Sequence, residues 1–265
     1  MTEERQQAPR CRGSEKAPSG LAGAYAQAIG EVFTESIWPT RCAICDRPGE
    51  VLCQSCRRNL PYIDHWNACQ RCGAPFGKVV CSECNPVSLR AHGDDSLPFS
   101  ECSCVSVFNS QSAAIITTYK DQGERRLVVP IADMLAQLMY PARAKGTAQL
   151  QGLALSFIPA SLVAYRRRGF DHAQLLAETL AEKLGLACVP LFKRPKGKDQ
   201  RRLSRWERLD NMGEGFQCLA LAAMPREVLL IDDVYTTGST LISASKALAQ
   251  AGVESIRCAT FARVF

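Results

Sequence analysis

Apolar positions divide the chain in two. Beyond residue 104, short apolar runs occur at 105–108, 113–118, 153–158, 228–231 and 255–261. Longer stretches at 131–140, 173–184 and 240–251 space their apolar residues three and four apart, as one face of a helix requires. Uniformly apolar runs alternating with helices predict strands buried on both faces, that is, an α/β domain with a parallel sheet flanked by helices over 105–265. Before that, Leu21, Tyr25, Ala28, Ile29, Val32 and Phe33 recur at helical spacing and stop at Pro39, which predicts a short amphipathic helix. Residues 1–20 are polar and contain Gly, Pro and Ser, and are expected to be disordered, so 1–40 forms no domain of its own. The stretch 86–104, with His92, Gly93, Asp94, Asp95 and Pro98, predicts a linker or loop.

Between these parts lies 41–85, where cysteine replaces periodicity as the signal. Eight of the 14 cysteines form four Cys-x-x-Cys pairs: Cys42 and Cys45, Cys53 and Cys56, Cys69 and Cys72, Cys81 and Cys84. Two such knuckles complete one tetrahedral Zn²⁺ site, so eight thiolates suit two structural zinc ions with no open position for water. Pairing in sequence order is expected; an interleaved arrangement stays open. A module of about 45 residues rarely stabilises itself by core burial alone, whereas one structural zinc supplies roughly 10–16 kcal/mol of apparent binding free energy. The remaining cysteines, Cys11, Cys102, Cys104, Cys188, Cys218 and Cys258, lack this spacing, and four of them fall in or beside expected strands as small apolar residues.

No run approaches the roughly 20 apolar residues of a membrane span, and no signal-like apolar core opens the chain, which favours the cytoplasm and no membrane insertion. The formal charge of +6 is uneven: eight Lys or Arg fall within 193–208 against Asp199 and Glu207, and Arg166, Arg167 and Arg168 are consecutive. Such a rim suits a phosphate-rich ligand or a nucleic-acid strand.

The sharpest motif follows the run at 228–231. Two adjacent acids, Asp232 and Asp233, end the expected strand, and Thr236, Thr237, Gly238, Ser239 and Thr240 lead into a helix. Neighbouring side chains at a strand end point in opposite directions, so the two acids can engage different groups, such as the vicinal hydroxyls of a ribose with Mg²⁺ nearby. Free amides, hydroxyls and the positive end of a helix dipole favour a phosphate monoester. The Gly-Lys-Ser/Thr ending of a Walker A loop is absent.

This acidic pair and threonine loop resemble the phosphoribosyl pyrophosphate motif of type I phosphoribosyltransferases. Other segments resemble the ComF-type, competence-associated branch: Tyr119-Lys120 with Gly123-Glu124, Ile158-Pro159-Ala160 before Arg166-Arg167-Arg168-Gly169-Phe170, and the spaced Gln200, Leu203, Arg208, Asn211 and Phe216. Asp171-His172 departs from the Asn-Gln usual after Arg-Gly-Phe. The resemblance implies that Asp232 and Asp233 hold the ribose hydroxyls, and that Thr236 to Thr240 hold the 5′-phosphate. It also implies that phosphoribosyl is transferred to an acceptor with release of pyrophosphate.

Stabilising that departing polyanion calls for Mg²⁺ and basic side chains, for which Lys120, Arg166 and Arg168 are the candidates. The Gly- and Arg-rich stretch 193–216 is expected to be a mobile flap ordered through Arg208 and Asn211, with Gln200 a further candidate, the alternative being a solvated basic loop. His172 is expected to be structural or at the surface. A non-catalytic alternative is a phosphoribosyl pyrophosphate sensor or a single-stranded-DNA-binding competence protein that stacks bases on Trp66, Trp206, Phe170 or Tyr165. Nothing in the sequence identifies the acceptor or the oligomeric state.

Overall fold

The computed structural model describes residues 39–91, 93, 95–139, 152–195 and 216–265. The expected disordered leader and amphipathic helix therefore lie outside the described residues, as does most of the expected flap, with Gln200, Leu203, Trp206, Arg208 and Asn211.

The described elements are α1 (Gln54–Arg58), α2 (Pro86–Ala91), β1 (Glu101–Val107), α3 (Ser110–Lys120), a 3₁₀ turn (Arg125–Leu127), α4 (Val128–Leu138), β2 (Leu153–Phe157), α5 (Leu162–Arg168), α6 (His172–Leu184), β3 (Ala187–Cys188), β4 (Glu227–Tyr235), α7 (Ser239–Gln250) and β5 (Ser255–Arg263). The five strands form one parallel sheet in the order β1-β5-β4-β2-β3. Its central strand is β4, apolar on both faces from Val228 to Ile231 as the uninterrupted run requires. Among the described residues no helix is long and apolar enough to cross a membrane.

Local chemistry overrides pattern in several places. The run 113–118, expected as a strand, is helical within α3. Asn109 accepts hydrogen bonds from the amides of Gln111 and Ser112, and the Ser112 hydroxyl accepts from the Asn109 amide. That reciprocal cap satisfies the orphan donors of the first turn and outweighs the β-branched Ile115, Ile116, Thr117 and Thr118. The expected linker 86–104 instead carries α2 and the start of β1. In β1 burial alternates only from Glu101 to Cys104 and is then continuous through Ser106, so Glu, Cys and Ser letters hide the strand's first half. Neither α5 nor the short β3 was anticipated, and β4 runs past the two acids to Tyr235 instead of ending at them.

Two apolar layers cover the sheet. On one face Leu155, Leu229, Ile231 and Phe261 meet α4 and α6, joined by Cys42, Leu52 and Leu60. On the other, Val228, Leu230 and Cys258 meet Leu241, Ala244 and Leu248 of α7, joined by Cys69, Cys72, Cys81 and Cys84. The cysteine module therefore straddles the sheet. Its two halves are connected across the β1 edge, where Tyr62 bridges Ser106 antiparallel, the Ile63 amide donates to the Val105 carbonyl and the Val107 amide to the Pro61 carbonyl.

Candidate active site and metal centres

The cysteines come together in sequence order. Cys42, Cys45, Cys53 and Cys56 form one cluster and Cys69, Cys72, Cys81 and Cys84 a second, with all ligand atoms of a cluster within 4.8 Å of one another. Sγ separations are 3.7 Å for Cys45 and Cys53, 3.6 Å for Cys69 and Cys84, and 3.5 Å for Cys72 and Cys81. A tetrahedron of thiolates about 2.3 Å from zinc has edges of about 3.8 Å, so both clusters have the size that structural zinc demands. None of the eight is in a disulfide.

The acidic pair sits near the carboxyl end of β4, where parallel sheets place ligands. Asp232 and Asp233 are 9% and 7% exposed, and the Asp233 amide donates to Asp232 Oδ1 at 2.8 Å. Their carboxyls stay within hydrogen-bonding reach of each other, so alternation along the strand does not separate them as the sequence suggests. Asp233 meets the Lys120 ammonium from the end of α3 and lies 3.6 Å from His172 Nε2 at the start of α6. Burial opposes charge on Asp233, but Lys120, His172 and a hydrogen bond with Asp232 together outweigh it and hold the carboxyl below the ordinary range. Asp232 is pushed well above that range, by burial and then by the charge of Asp233. Charge is therefore favoured on Asp233, where Lys120 faces it, and disfavoured on Asp232. Such a donor set fits a Mg²⁺ that arrives on a diphosphate better than one held by the protein alone.

Immediately beyond, Thr236, Thr237 and Thr240 are exposed, and Gly238 is buried in the left-handed region at φ 79° as the N-cap of α7. A Cβ there would lie 2.6 Å from Cζ of Tyr235, so only glycine fits both the angle and the space. The first helical bond runs from the Ile242 amide to the Gly238 carbonyl, leaving the amides of Ser239, Thr240 and Leu241 without a partner inside the helix. Thr237 and Ser239 hydroxyls are 2.9 Å apart. The Ser239 amide donates to the Thr237 hydroxyl at 3.4 Å, and free helix-end amides beside exposed hydroxyls form an arrangement that can accept an anion.

Of the expected cations, Lys120 is brought to the site but engages Asp233. Arg168 is nearly buried and pairs with Asp121 at 3.3 Å, while Arg166 is exposed on the last turn of α5. Asp171 caps α6 and binds Arg194 at 2.6 Å and the Ala160 amide at 2.9 Å. Of the expected stacking aromatics, Phe170 is buried edge-to-face against Tyr119, with the Arg125 guanidinium over it. Tyr165 is partly exposed beneath Arg194.

Sequence reasoning missed three residues. His172, expected to be structural or at the surface, is buried beside Asp233; burial first, with Lys120 adding to it, lowers its pKa to about 4, and among the described residues its Nδ1 has no hydrogen-bond partner. Its position directly after an N-cap aspartate was the available signal. Tyr235 shapes the loop from beneath. Arg263 is 2% exposed and reaches the loop, and no local pattern marks it.

Residues 33–85 match the double zinc ribbon domain and residues 224–264 the phosphoribosyl transferase domain. The chain is 28% identical over 215 residues to competence protein ComFC of Bacillus subtilis, covering 78% of this chain and 81% of that protein. It is 40% identical over 137 residues to competence protein F of Haemophilus influenzae, covering 49% of this chain and 59% of that protein. It is 27% identical over 218 residues to the DNA utilization protein YhgH of Salmonella typhi, covering 78% and 94%.

Proposed function

We propose, for a chain that belongs to the ComF-type family of proteins with a double zinc ribbon and a phosphoribosyltransferase domain, that it binds phosphoribosyl pyrophosphate with Mg²⁺ and transfers phosphoribosyl to an acceptor. The observation that carries this reading is the junction of β4 with α7, where a buried acidic pair leads directly into a glycine-shaped loop of exposed hydroxyls and amides left over by the helix. The 5′-phosphate would take the amides and hydroxyls of Thr236 to Thr240. The ribose diol would take Asp232 and Asp233, with Lys120 keeping the pair's charge in balance.

Mg²⁺, when bound, neutralises the diphosphate and makes it a better leaving group. Arg166, exposed, is a cation available for the departing pyrophosphate, whereas Lys120 would have to leave Asp233 to reach it. Gln200, Arg208 and Asn211 remain proposed flap residues. A reducing, cytoplasmic setting would keep the eight thiols available to zinc. Relatives named for competence and for DNA utilization support reading this reaction as tied to the handling of DNA.

Titration calorimetry with phosphoribosyl pyrophosphate and Mg²⁺ tests binding. Saturable heat is expected, lost in Asp232→Asn and Asp233→Asn; no heat from the intact protein removes the reading. Pyrophosphate release with a panel of nucleobases and amines then tests turnover.

A second reading, capture of single-stranded DNA, is favoured by the second ribbon's surface. Trp66 and Phe76 are each 79% exposed, and the Lys78 ammonium lies 5.7 Å from the Trp66 ring centre. Over 61–84, Arg71 and Lys78 are balanced by Asp64 and Glu83, so binding there would depend on stacking more than on phosphate contacts. Fluorescence anisotropy with labelled oligothymidylate, repeated on Trp66→Ala, separates the readings: binding lost in the variant, without pyrophosphate release, favours the second.

A further inference from the structure

Arg263, the last residue of β5, is a buried cation in contact with both the second ribbon and the phosphate loop. Its Nε donates to the Cys72 carbonyl at 3.2 Å, and its Nη2 lies 3.7 Å from Glu83, which stands between Cys81 and Cys84. On the other side, its Nη1 donates to the Thr236 carbonyl at 2.9 Å and the Val264 carbonyl at 2.5 Å. Its guanidinium carbon sits 3.8 Å from the centre of the Tyr235 ring, and that ring fills the space a side chain at Gly238 would need. One planar cation therefore touches a metal-ligand backbone, the loop's first carbonyl and the ring that shapes the loop. Its five fixed donors tie these partners in one geometry, which a lysine's single rotating head cannot reproduce.

We propose that the second cysteine cluster and the phosphate loop are one coupled element, with Arg263 as the positioning residue between them. Zinc on Cys69, Cys72, Cys81 and Cys84 fixes the Cys72 carbonyl and Glu83. These hold Arg263, and Arg263 holds Thr236 and Tyr235 in the arrangement that exposes the loop's amides. Loss of metal frees the ribbon side of the contact, and a buried guanidinium stripped of its partners draws the loop out of shape. Coupling is reciprocal: a phosphoryl group seated on the loop slows loss of metal from the second site and leaves the first unaffected. The ligand half of this proposal rests on the phosphoribosyl reading; the metal half does not.

The zinc-loaded full chain tests both halves. Amide hydrogen exchange is followed over 235–241 in Cys84→Ser, Cys45→Ser, Arg263→Met and Arg263→Lys. Cys84→Ser and Arg263→Met are expected to accelerate exchange there by about tenfold or more, Cys45→Ser by less than about twofold, and Arg263→Lys to lie between. The Arg263 variants decide the matter if Cys84→Ser does not fold. Zinc release to a chromogenic chelator is then timed with and without ribose 5-phosphate, which is expected to slow one of two release phases in the intact chain and neither in Arg263→Met.

Unchanged loop exchange in Arg263→Met, or equal acceleration by Cys45→Ser, overturns the coupling. So does zinc release indifferent to ribose 5-phosphate in a protein that calorimetry shows binding it. If calorimetry shows no binding, the phosphoribosyl reading fails while the exchange measurement still decides the metal half.

Discussion

The two four-cysteine clusters share ligand type and knuckle spacing, yet they occupy different environments. In the second, Cys69, Cys72, Cys81 and Cys84 are all buried; in the first only Cys42 is, Cys45 is exposed, and Cys53 and Cys56 are half-buried. The first ribbon joins the α4 and α6 side of the sheet through Leu52 and Leu60 and through a loose ion pair, Arg57 with Asp133 at 3.8 Å. The second meets strands directly: the Cys102 amide donates to the Gln70 carbonyl at 3.3 Å, and Arg263 reaches across to Cys72. Four thiolates organise a knuckle in either place. What differs is how much of the remaining molecule needs the knuckle in order to stay folded.

The largest effect follows from that asymmetry. Cys72→Ser is expected to lower the main thermal transition by about 10 °C or more, because a domain stable by only about 5–15 kcal/mol cannot lose much of a roughly 10–16 kcal/mol metal site within its core. Cys45→Ser, equally damaging to its own knuckle, is expected to leave the sheet's transition within about 3 °C. Differential scanning calorimetry of the two variants decides; equal shifts would mean that burial of a cluster does not measure its integration.

A gentler comparison leaves the metal alone. Gly73 has φ 72°, and a Cβ there would lie 2.5 Å from Cys104 Sγ and 2.9 Å from the Cys102 carbonyl oxygen; Gly49 has φ 117° and open space around it. Gly73→Ala is expected to cost about 4 kcal/mol, backbone strain plus collision with a packed strand, against about 1 kcal/mol for strain alone in Gly49→Ala. Urea unfolding of both variants reads the difference. A similar cost for the two would show that the second ribbon's approach to β1 is not as tight as these distances state.

The same contrast explains what the sequence disclosed. The cysteine pairing, the strand cores at 153–158, 228–231 and 255–261 and the loop from Thr236 to Thr240 are local patterns, and they were readable. Helix α3 was misread because its cap, Asn109 with Ser112, is two polar letters against a run of β-branched ones. His172 and Arg263 stayed hidden for another reason. Each acquires its role from partners far along the chain, Asp233 in one case and Cys72 and Thr236 in the other, and no periodicity encodes such meetings.

His172 brings the first ribbon's side of the sheet under test by pH. Its pKa is lowered to about 4 by burial first, with Lys120 adding to the effect and Asp233 opposing it. The unfolded chain, with an ordinary histidine near 6.5, then binds more protons between these values, so stability falls as pH drops from about 6.5 towards 4. At about 1.4 kcal/mol per unit, the loss attributable to this group is on the order of 3 kcal/mol. His172→Gln, which keeps a polar side chain but removes the titrating ring, is expected to flatten the profile over that window, as followed by urea titrations at stepped pH. A profile identical to that of the parent chain would show that the imidazole does not resist protonation there.

The smallest effect is also the most discriminating, since it asks whether the first ribbon is held by charge or by burial. Arg57 and Asp133 keep 31% and 37% of their side-chain surface, and Asp133 has a closer partner in Lys183 at 2.8 Å. Screened pairs of this kind contribute below about 0.5 kcal/mol, and a carboxylate with a second cation loses little when the first is removed. Arg57→Ala is therefore expected to leave both the urea midpoint and zinc content unchanged within error. Leu60, 5% exposed in the shared apolar layer, is expected to cost about 2–4 kcal/mol as Leu60→Ala. If Arg57→Ala instead released the first zinc while Leu60→Ala did not, electrostatics would be what fastens that ribbon. Its peripheral position would then follow from a salt-dependent contact, and raising the ionic strength of the parent protein should loosen it in the same way.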